Sequence, residues 1–357
     1  MNIWVGLSGG VDSSTSLYLL KEAGHDVTAC FISVWQPDFL PCTQNEDRRD
    51  ALRVAAHLDV PFRDIDARDA YKARVVDHLV HEYQEGRTPN PDVMCNDHIK
   101  FGLFFDAARA AGAEAVATGH YARRAERADG SVDLLSGVDS EKDQSYFLWR
   151  LTQEKLQRIR FPVGEYEKAH VRELAARAQL PTAHKRDSQG LCFMGHVDLE
   201  QFLIELVGPQ NEGQVLDTAG HPIGSHPGAL FFTIGQRHGF SVAAHGPHTP
   251  PLYVISKDTS ANTLTVAPKH EMPATDEVTL TTCNWINHVP EIGTTYQARF
   301  RYRQRLFDVS VIAVTDTGAT IALDEPQVGV PAGQSLVLYD GEVCMGGGII
   351  QSTSARV

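Results

Sequence analysis

Long apolar runs are missing from this chain. Nowhere in its 357 residues do side chains stay hydrophobic over the roughly 18 positions a membrane-spanning helix requires. The chain opens on a strand and a glycine turn rather than on a basic stretch with an apolar core, so a secreted product is not expected. Cysteine is scarce. Cys30, Cys42, Cys95, Cys192, Cys283 and Cys344 include no C-x-x-C pair, which excludes a disulfide scaffold and a zinc site of the usual spacing. A reducing cytoplasm is the expected setting. Positive charge is also in deficit, with 32 Lys and Arg against 45 Asp and Glu and a net charge of −13. That balance argues against a broadly basic, nucleic-acid-coating surface.

What is present is the texture of a globular protein, 42% hydrophobic and 22% charged, and long enough for two or three domains. Residues 1–130 alternate strand signals (2–7, 27–34, 61–66, 114–119) with helix signals (13–23, 46–58, 68–86, 101–111). That alternation predicts a Rossmann-like parallel sheet covered by helices on both faces. A strand hairpin and a helix are expected over 131–152. Helical patterns follow at 153–158, 168–178 and 197–207. After Gly208-Pro209 short β-type runs recur at 213–217, 230–234, 251–257 and 262–267. From about 273 the chain is β in character throughout, with runs at 277–284, 295–303, 306–315, 318–323 and 335–339. The reading is an α/β nucleotide-type domain over 1–207, a small mixed domain over 208–270 and a C-terminal β-barrel over 271–357.

The most informative stretch is Gly6-Leu7-Ser8-Gly9-Gly10-Val11-Asp12-Ser13-Ser14, directly after the apolar Ile3-Trp4-Val5. A buried strand running into a glycine turn and then into a helix opened by Ser13 and Ser14 suits phosphate binding, since glycine lets backbone N–H groups approach an anion. The loop lacks the Gly-Lys-Ser/Thr ending of a Walker A loop and the G-x-G-x-x-G spacing. Glycine and serine also suit an ordinary strand–helix turn. SGGVDS resembles the pyrophosphate-binding loop of the ATP pyrophosphatase group, which cleaves ATP between the α and β phosphates.

Two cysteines stand near features that favour a thiolate. Cys95 follows Asn90-Pro91-Asp92-Val93-Met94, where Pro91 is expected to keep the chain extended ahead of a helix at about 101. Cys192 follows His184, Lys185 and Arg186. The alternative is two buried structural thiols. Asp92 suits proton transfer or a turn cap equally. Basic residues concentrate over 155–186, with eight Lys and Arg against three Glu, and at Arg299, Arg301, Arg303 and Arg305. In a strand those four arginines would share one face. A solvated charged surface is the other reading of both clusters.

In order along the chain, SGGVDS, NPDVMC, FGLFFDAA, ATGHYAR, SEKDQSYFL, KRDSQGLCF, FFTIGQRHG and GEVCMGGGII resemble the bacterial tRNA-uridine 2-sulfurtransferase family, also called tRNA-specific 2-thiouridylase. The resemblance covers nearly the whole chain and is weakest around 36–50, 208–222 and 240–250. It implies an ATP-dependent enzyme making 2-thiouridine at the first anticodon position of tRNA with a protein-bound sulfur. By the same resemblance Gly6, Leu7, Ser8, Gly9, Gly10, Val11, Asp12 and Ser13 would hold ATP, with Ile32 and Gly119 near the adenosine. Asn90, Pro91 and Asp92 would meet the target base. Cys192 would carry the persulfide and Cys95 would be its partner nucleophile. His120, Lys142, Asp143, Gln144, Arg301, Tyr302 and Gln334 would contact tRNA.

The partners so implied are tRNA and a sulfur donor, either a persulfide carrier or a cysteine desulfurase. Mg²⁺ would accompany ATP. Three other readings stand beside this one. The chain could be a pyrophosphatase-type ligase acting on a small molecule, or a non-catalytic, nucleotide-dependent tRNA-binding protein. A variant of the enzyme would hold an iron–sulfur cluster on Cys95, Cys192 and Asp92, an unusual ligand set and not the favoured one.

Overall fold

The computed structural model describes residues 1–39, 44–187, 199–243 and 250–354. Its first layer is a parallel sheet. The strands are β1 (Asn2–Gly6), β2 (Asp26–Ser33), β3 (Phe62–Asp66) and β4 (Ala115–Ala117), then, after a hairpin of β5 (Ala122–Glu126) and β6 (Val132–Ser136), β7 (Ile159–Arg160). They lie in the order β3-β2-β1-β4-β7, all parallel. The strand order reverses direction between β1 and β4, the place where such sheets bind ligands beyond their carboxyl ends. Side chains of β1 alternate between two cores. Ile3 and Val5 join Leu17, Leu20, Val54 and Ala175 on one side, and Trp4 joins Tyr71, Ile99 and Phe104 on the other. The sheet is therefore covered on both faces, as its near-continuous apolar strands require.

The central domain is a sheet of β8 (Gly213–Leu216), β9 (Pro222–His226), β10 (Ser241–Val242), β11 (Leu252–Asp258) and β12 (Thr263–Pro268), ordered β10-β9-β8-β12-β11. The strand expected at 230–234 is instead a short 3-10 turn, Ala229–Phe231. Its aromatic run is inserted into the core, with Phe231 6% and Phe232 0% exposed. Burial of that run, and no strand pairing, explains its apolar character.

The last six strands are β13 (Ala274–Trp285), β14 (Thr295–Arg299), β15 (Phe307–Val314), β16 (Gly318–Val328), β17 (Ser335–Asp340) and β18 (Val343–Ser354). They run β13-β16-β15-β14-β17-β18, and β18 pairs back onto β13, which closes a barrel. Closure removes the exposed strand edges. The hairpin β5–β6 extends this same sheet, through Val343 opposite Leu135. One apolar cluster runs through all three regions, joining Trp4 and Phe104 to Val215, Phe231, Val337 and Cys344.

The arginine series does not lie along one strand. β14 ends at Arg299, and Arg303 has a left-handed backbone, φ +61°. The four residues therefore turn through different directions. Over 131–152 the hairpin lies earlier than expected, and the helix is a single 3-10 turn, Ser145–Leu148.

Candidate active site

The loop after β1 is built by glycine and serine. Gly9 has φ +74°, and a Cβ there would lie 2.3 Å from the Asp47 carbonyl oxygen. No L side chain fits. The helix opens at Val11, two residues before the expected Ser13, with Gly10 extended at its N-cap and no side chain capping it among the described residues. The serines turn inward instead. Ser13 Oγ accepts from Ser8 N at 3.2 Å, and Ser14 Oγ donates to Gly10 O at 2.7 Å. The uncapped first-turn N–H groups and the positive end of the helix dipole are what a phosphate needs. Gly119, after β4, lies against the same helix start, where a Cβ would be 2.6 Å from Ser13 N. Ile32, on β2, is 4% exposed.

Asp12, in the first turn, is the hub of a charged network. Tyr121 donates its hydroxyl to Asp12 Oδ1 at 2.7 Å, and Lys168 Nζ reaches both carboxylate oxygens at 2.7 and 2.8 Å. The Tyr121 phenol is pushed up by burial and by the Asp12 charge. Lys168 also pairs with Asp187 at 2.9 Å, and Lys142 and Arg172 reach Asp187 at 2.8 and 2.6 Å. Burial would raise the Asp187 carboxyl, yet the hydrogen bonds and charge of Lys142 and Lys168 hold it down at about 2. Asp187 precedes Cys192 by five positions in the sequence. Cys192 itself, like Cys42, lies outside the described residues.

Pro91 does not keep the chain extended. It opens a helix that continues through a π-helical stretch, Asn96–Phe104, to Ala110. Asn90 caps it, its side chain accepting from Val93 N at 3.2 Å. Proline tolerates that position because its missing N–H would be an orphan anyway. Cys95 sits in this opening segment with 0% exposure, and Asp92 in the first turn. Phe104 on the same helix reaches the position a Cβ would take at Gly6, 3.5 Å away, so this helix packs against the end of β1.

The residues expected to meet tRNA are spread over two situations. Asp143 and Arg299 form an ion pair, 4% and 7% exposed at their side chains. Arg299 also donates to Tyr339 Oη at 2.7 Å, and Asp143 accepts from Gly137 N and Ser145 N, both at 3.0 Å. His120 is 6% exposed, with Nδ1 2.7 Å from Thr118 Oγ1. Burial, and then Lys100, keep it neutral, well below the usual histidine range. Gln144 holds Tyr121 from both sides, its Oε1 accepting from Tyr121 N at 3.0 Å and its N–H donating to Tyr121 O at 2.8 Å. The Tyr302 ring lies tilted against that of Phe147, 4.8 Å between centroids, and Arg301 donates to Gly329 O at 2.6 Å. Gln334 donates to Thr88 O and Pro89 O.

The basic stretch 155–186 is not one free patch. Lys168 and Arg172 pair with Asp187, Lys185 with Asp47 and Asp50, and Lys155 lies 3.9 Å from Asp97. Arg158, Arg177 and Arg186 remain exposed. The thiols of Cys30, Cys283 and Cys344, all on strands, are pushed up to about 12 by burial, which disfavours the thiolate. Among the described residues no group of three His, Cys, Asp or Glu could hold a metal ion. No helix of the described residues is long and apolar enough to cross a membrane.

Sequence reasoning missed Tyr121, Lys168 and Thr88. Lys168 carried a signal. It opens the helix Lys168–Arg177, whose first turn holds no acid. A cation at the positive end of a helix dipole is misplaced unless a carboxylate stands opposite.

Three family models match in order. One described as "tRNA methyl transferase HUP domain" matches residues 1–196, one described as "tRNA methyl transferase PRC-barrel domain" matches 200–268, and one described as "Aminomethyltransferase beta-barrel domain" matches 275–350. Among solved structures, the U34-tRNA thiolase NcsA from Methanococcus maripaludis is similar at TM-score 0.36 and 16% identity, over 58% of this chain and 64% of that one, too distantly to bear on function. The tRNA-specific 2-thiouridylase MnmA of Streptococcus uberis is 42% identical over 356 residues, 98% of this chain and 95% of the relative. That of Streptococcus mutans is 42% identical over 354 residues, 98% and 94%. With that identity along almost its entire length, the chain belongs to the tRNA-specific 2-thiouridylase family.

Proposed function

We propose that this protein uses ATP to replace O2 of the first-anticodon-position uridine of tRNA by sulfur. The observation that carries the reading is the bridge at Lys168. One ammonium joins Asp12, in the phosphate-type loop, to Asp187, five residues ahead of Cys192 in sequence.

In this reading the loop from Gly6 to Ser13 holds ATP, with Ile32 and Gly119 beside the adenosine. Asn90, Pro91 and Asp92 receive the uridine, which must leave the anticodon stack to reach them. Uridine O2 attacks the α-phosphorus and expels pyrophosphate, and the loop N–H donors offset the charge that builds on the phosphates. The terminal sulfur of a Cys192 persulfide attacks C2, and AMP leaves. The Cys95 thiolate then attacks the Cys192 sulfur. The S–S bond breaks toward the base, giving 2-thiouridine and a Cys95–Cys192 disulfide that an external thiol reduces. The persulfide comes from a sulfur-donor protein. Mg²⁺, brought with ATP, would be held by phosphate and water oxygens.

In this reading Lys142, Gln144, Arg301, Tyr302 and Gln334 contact the tRNA. Buried His120 and Asp143 act on tRNA through the segments they fix. The test is nucleoside mass analysis of tRNA from a strain lacking the gene, complemented with the wild type, Cys95→Ser or Cys192→Ser. Only the wild type should restore 2-thiouridine, and restoration by either serine variant overturns the reading.

A further inference from the structure

Thr88, two residues ahead of Asn90, is gripped from both other domains. Its N–H donates to Ala332 O at 2.9 Å. Its carbonyl accepts from Gln334 Nε2 at 3.0 Å, and the same amide reaches Pro89 O at 3.1 Å. Its hydroxyl lies 3.0 Å from that of Thr233 in the central domain. These partners lie 145 to 246 positions later in the chain, so the grip is wholly tertiary. Gly333 allows it. With φ +93°, a Cβ there would lie 2.9 Å from the N, C and O of Thr88. The barrel turn is itself fastened to β18, by Gly333 N to Ile350 O and Ile350 N to Gln334 O, both 2.8 Å.

Little can relax between this grip and the reacting groups. Pro89 and Pro91 have their φ fixed by their rings. Between them Asn90 is pinned as the helix cap. Tyr146 adds a second tie, its hydroxyl bonded to Asn90 and within 3.0 Å of Phe300 O in the barrel. The register of Asp92 and Cys95 is thus set by Gln334, Gly333 and Thr233.

We propose that the barrel and the central domain position the reaction centre through Thr88, and that Thr233, Gly333 and Gln334 are positioning residues for thiolation. Holding tRNA is then only part of the barrel's work. This inference rests on the reading of the Asn90–Cys95 segment as the reaction site. A misplacement of about an ångström at a reacting centre costs up to roughly a hundredfold in rate.

Gln334→Glu keeps the shape but turns a donor toward two carbonyls into an acceptor. In the full-length protein with tRNA and ATP saturating, tRNA-dependent AMP release should fall about tenfold, with ATP binding unchanged; tRNA Kd, which Gln334 can alter through its own contact, is read on Thr233→Val and Gly333→Ala, where it should stay unchanged. The rate should recover as pH is lowered and the new carboxyl regains a proton it can donate. Thr233→Val and Gly333→Ala, which leave the amide in place, should lower the same rate at saturation, and they carry the test if Gln334→Glu does not fold. A raised tRNA Kd with an unchanged rate at saturation, or no effect in any variant that folds, overturns the proposal. Cys95→Ser is the separate arm. If 2-thiouridine still forms without that thiol, the reading of the reaction site falls, whatever the Thr88 variants do.

Discussion

The Lys168 ammonium stands 2.9 Å from the Asp187 carboxylate while it holds Asp12 at 2.7 Å. It is 11% exposed at its side chain, so neither carboxylate can exchange it for water at little cost. Lys168→Met should destabilise the protein by about 1–3 kcal/mol, because two partly buried acids lose a shared counter-charge. Adding Asp187→Asn should return part of that loss. Urea unfolding of the single and double variants measures both.

The same carboxylate sets an acid limit. Asp187 is held at about 2, below its ordinary value of 3.8. A depressed acid stabilises the folded state fully above its unfolded pKa and loses that contribution as pH falls through the folded one. Stability should therefore drop between about pH 4 and 2, and Asp187→Asn should flatten that part of the stability–pH curve. An unchanged curve would refute the assignment.

His120 bears on milder acid. Burial keeps it neutral, so below its ordinary value of 6.5 the unfolded chain binds a proton the folded one does not. Stability should fall as pH drops below about 6.5 and level off above it. His120→Asn should weaken this dependence, as read by melting temperature across pH 5–8.

The pair Arg299–Asp143 joins the barrel to the segment Lys142–Gln144 out of water. Arg299→Met should cost about 3–5 kcal/mol by stranding the acid, whereas Arg299→Met with Asp143→Asn should cost less. Thermal unfolding of both variants and of Asp143→Asn alone decides, and a double-variant loss equal to the sum of the two single losses would show that the pair is not coupled.

Arg303 is exposed, and its Nε donates to Glu141 O at 2.9 Å. Charge reversal, Arg303→Glu, should weaken tRNA binding and reduce the slope of log K against log salt by about 1. A filter-binding salt titration with no change in slope removes this residue from the RNA face.

The nucleotide loop and the parallel sheet were legible because their signals are local: apolar strands, a glycine turn, a helix start. The barrel was legible as a run of short strands, but its closing strand β18 was not, since Gly346-Gly347-Gly348 reads as a break. Arg299 to Arg305 alternate at strand period, and nothing in the sequence marks the left-handed turn at Arg303. Asn-Pro-Asp serves both as a turn and as a helix start, and only packing against β1 selects the second. Tyr121 and Lys168 meet Asp12 across 109 and 156 positions, which no periodicity records.

The hairpin Ala122–Ser136 lies in the N-terminal half of the chain yet completes a sheet whose other strands start at Ala274. Cutting the gene at a linker before residue 274 would thus not release a self-sufficient nucleotide-binding half. It would leave β6 with unpaired backbone donors and acceptors, open to another such fragment, and the expected product is an aggregate rather than a monomer.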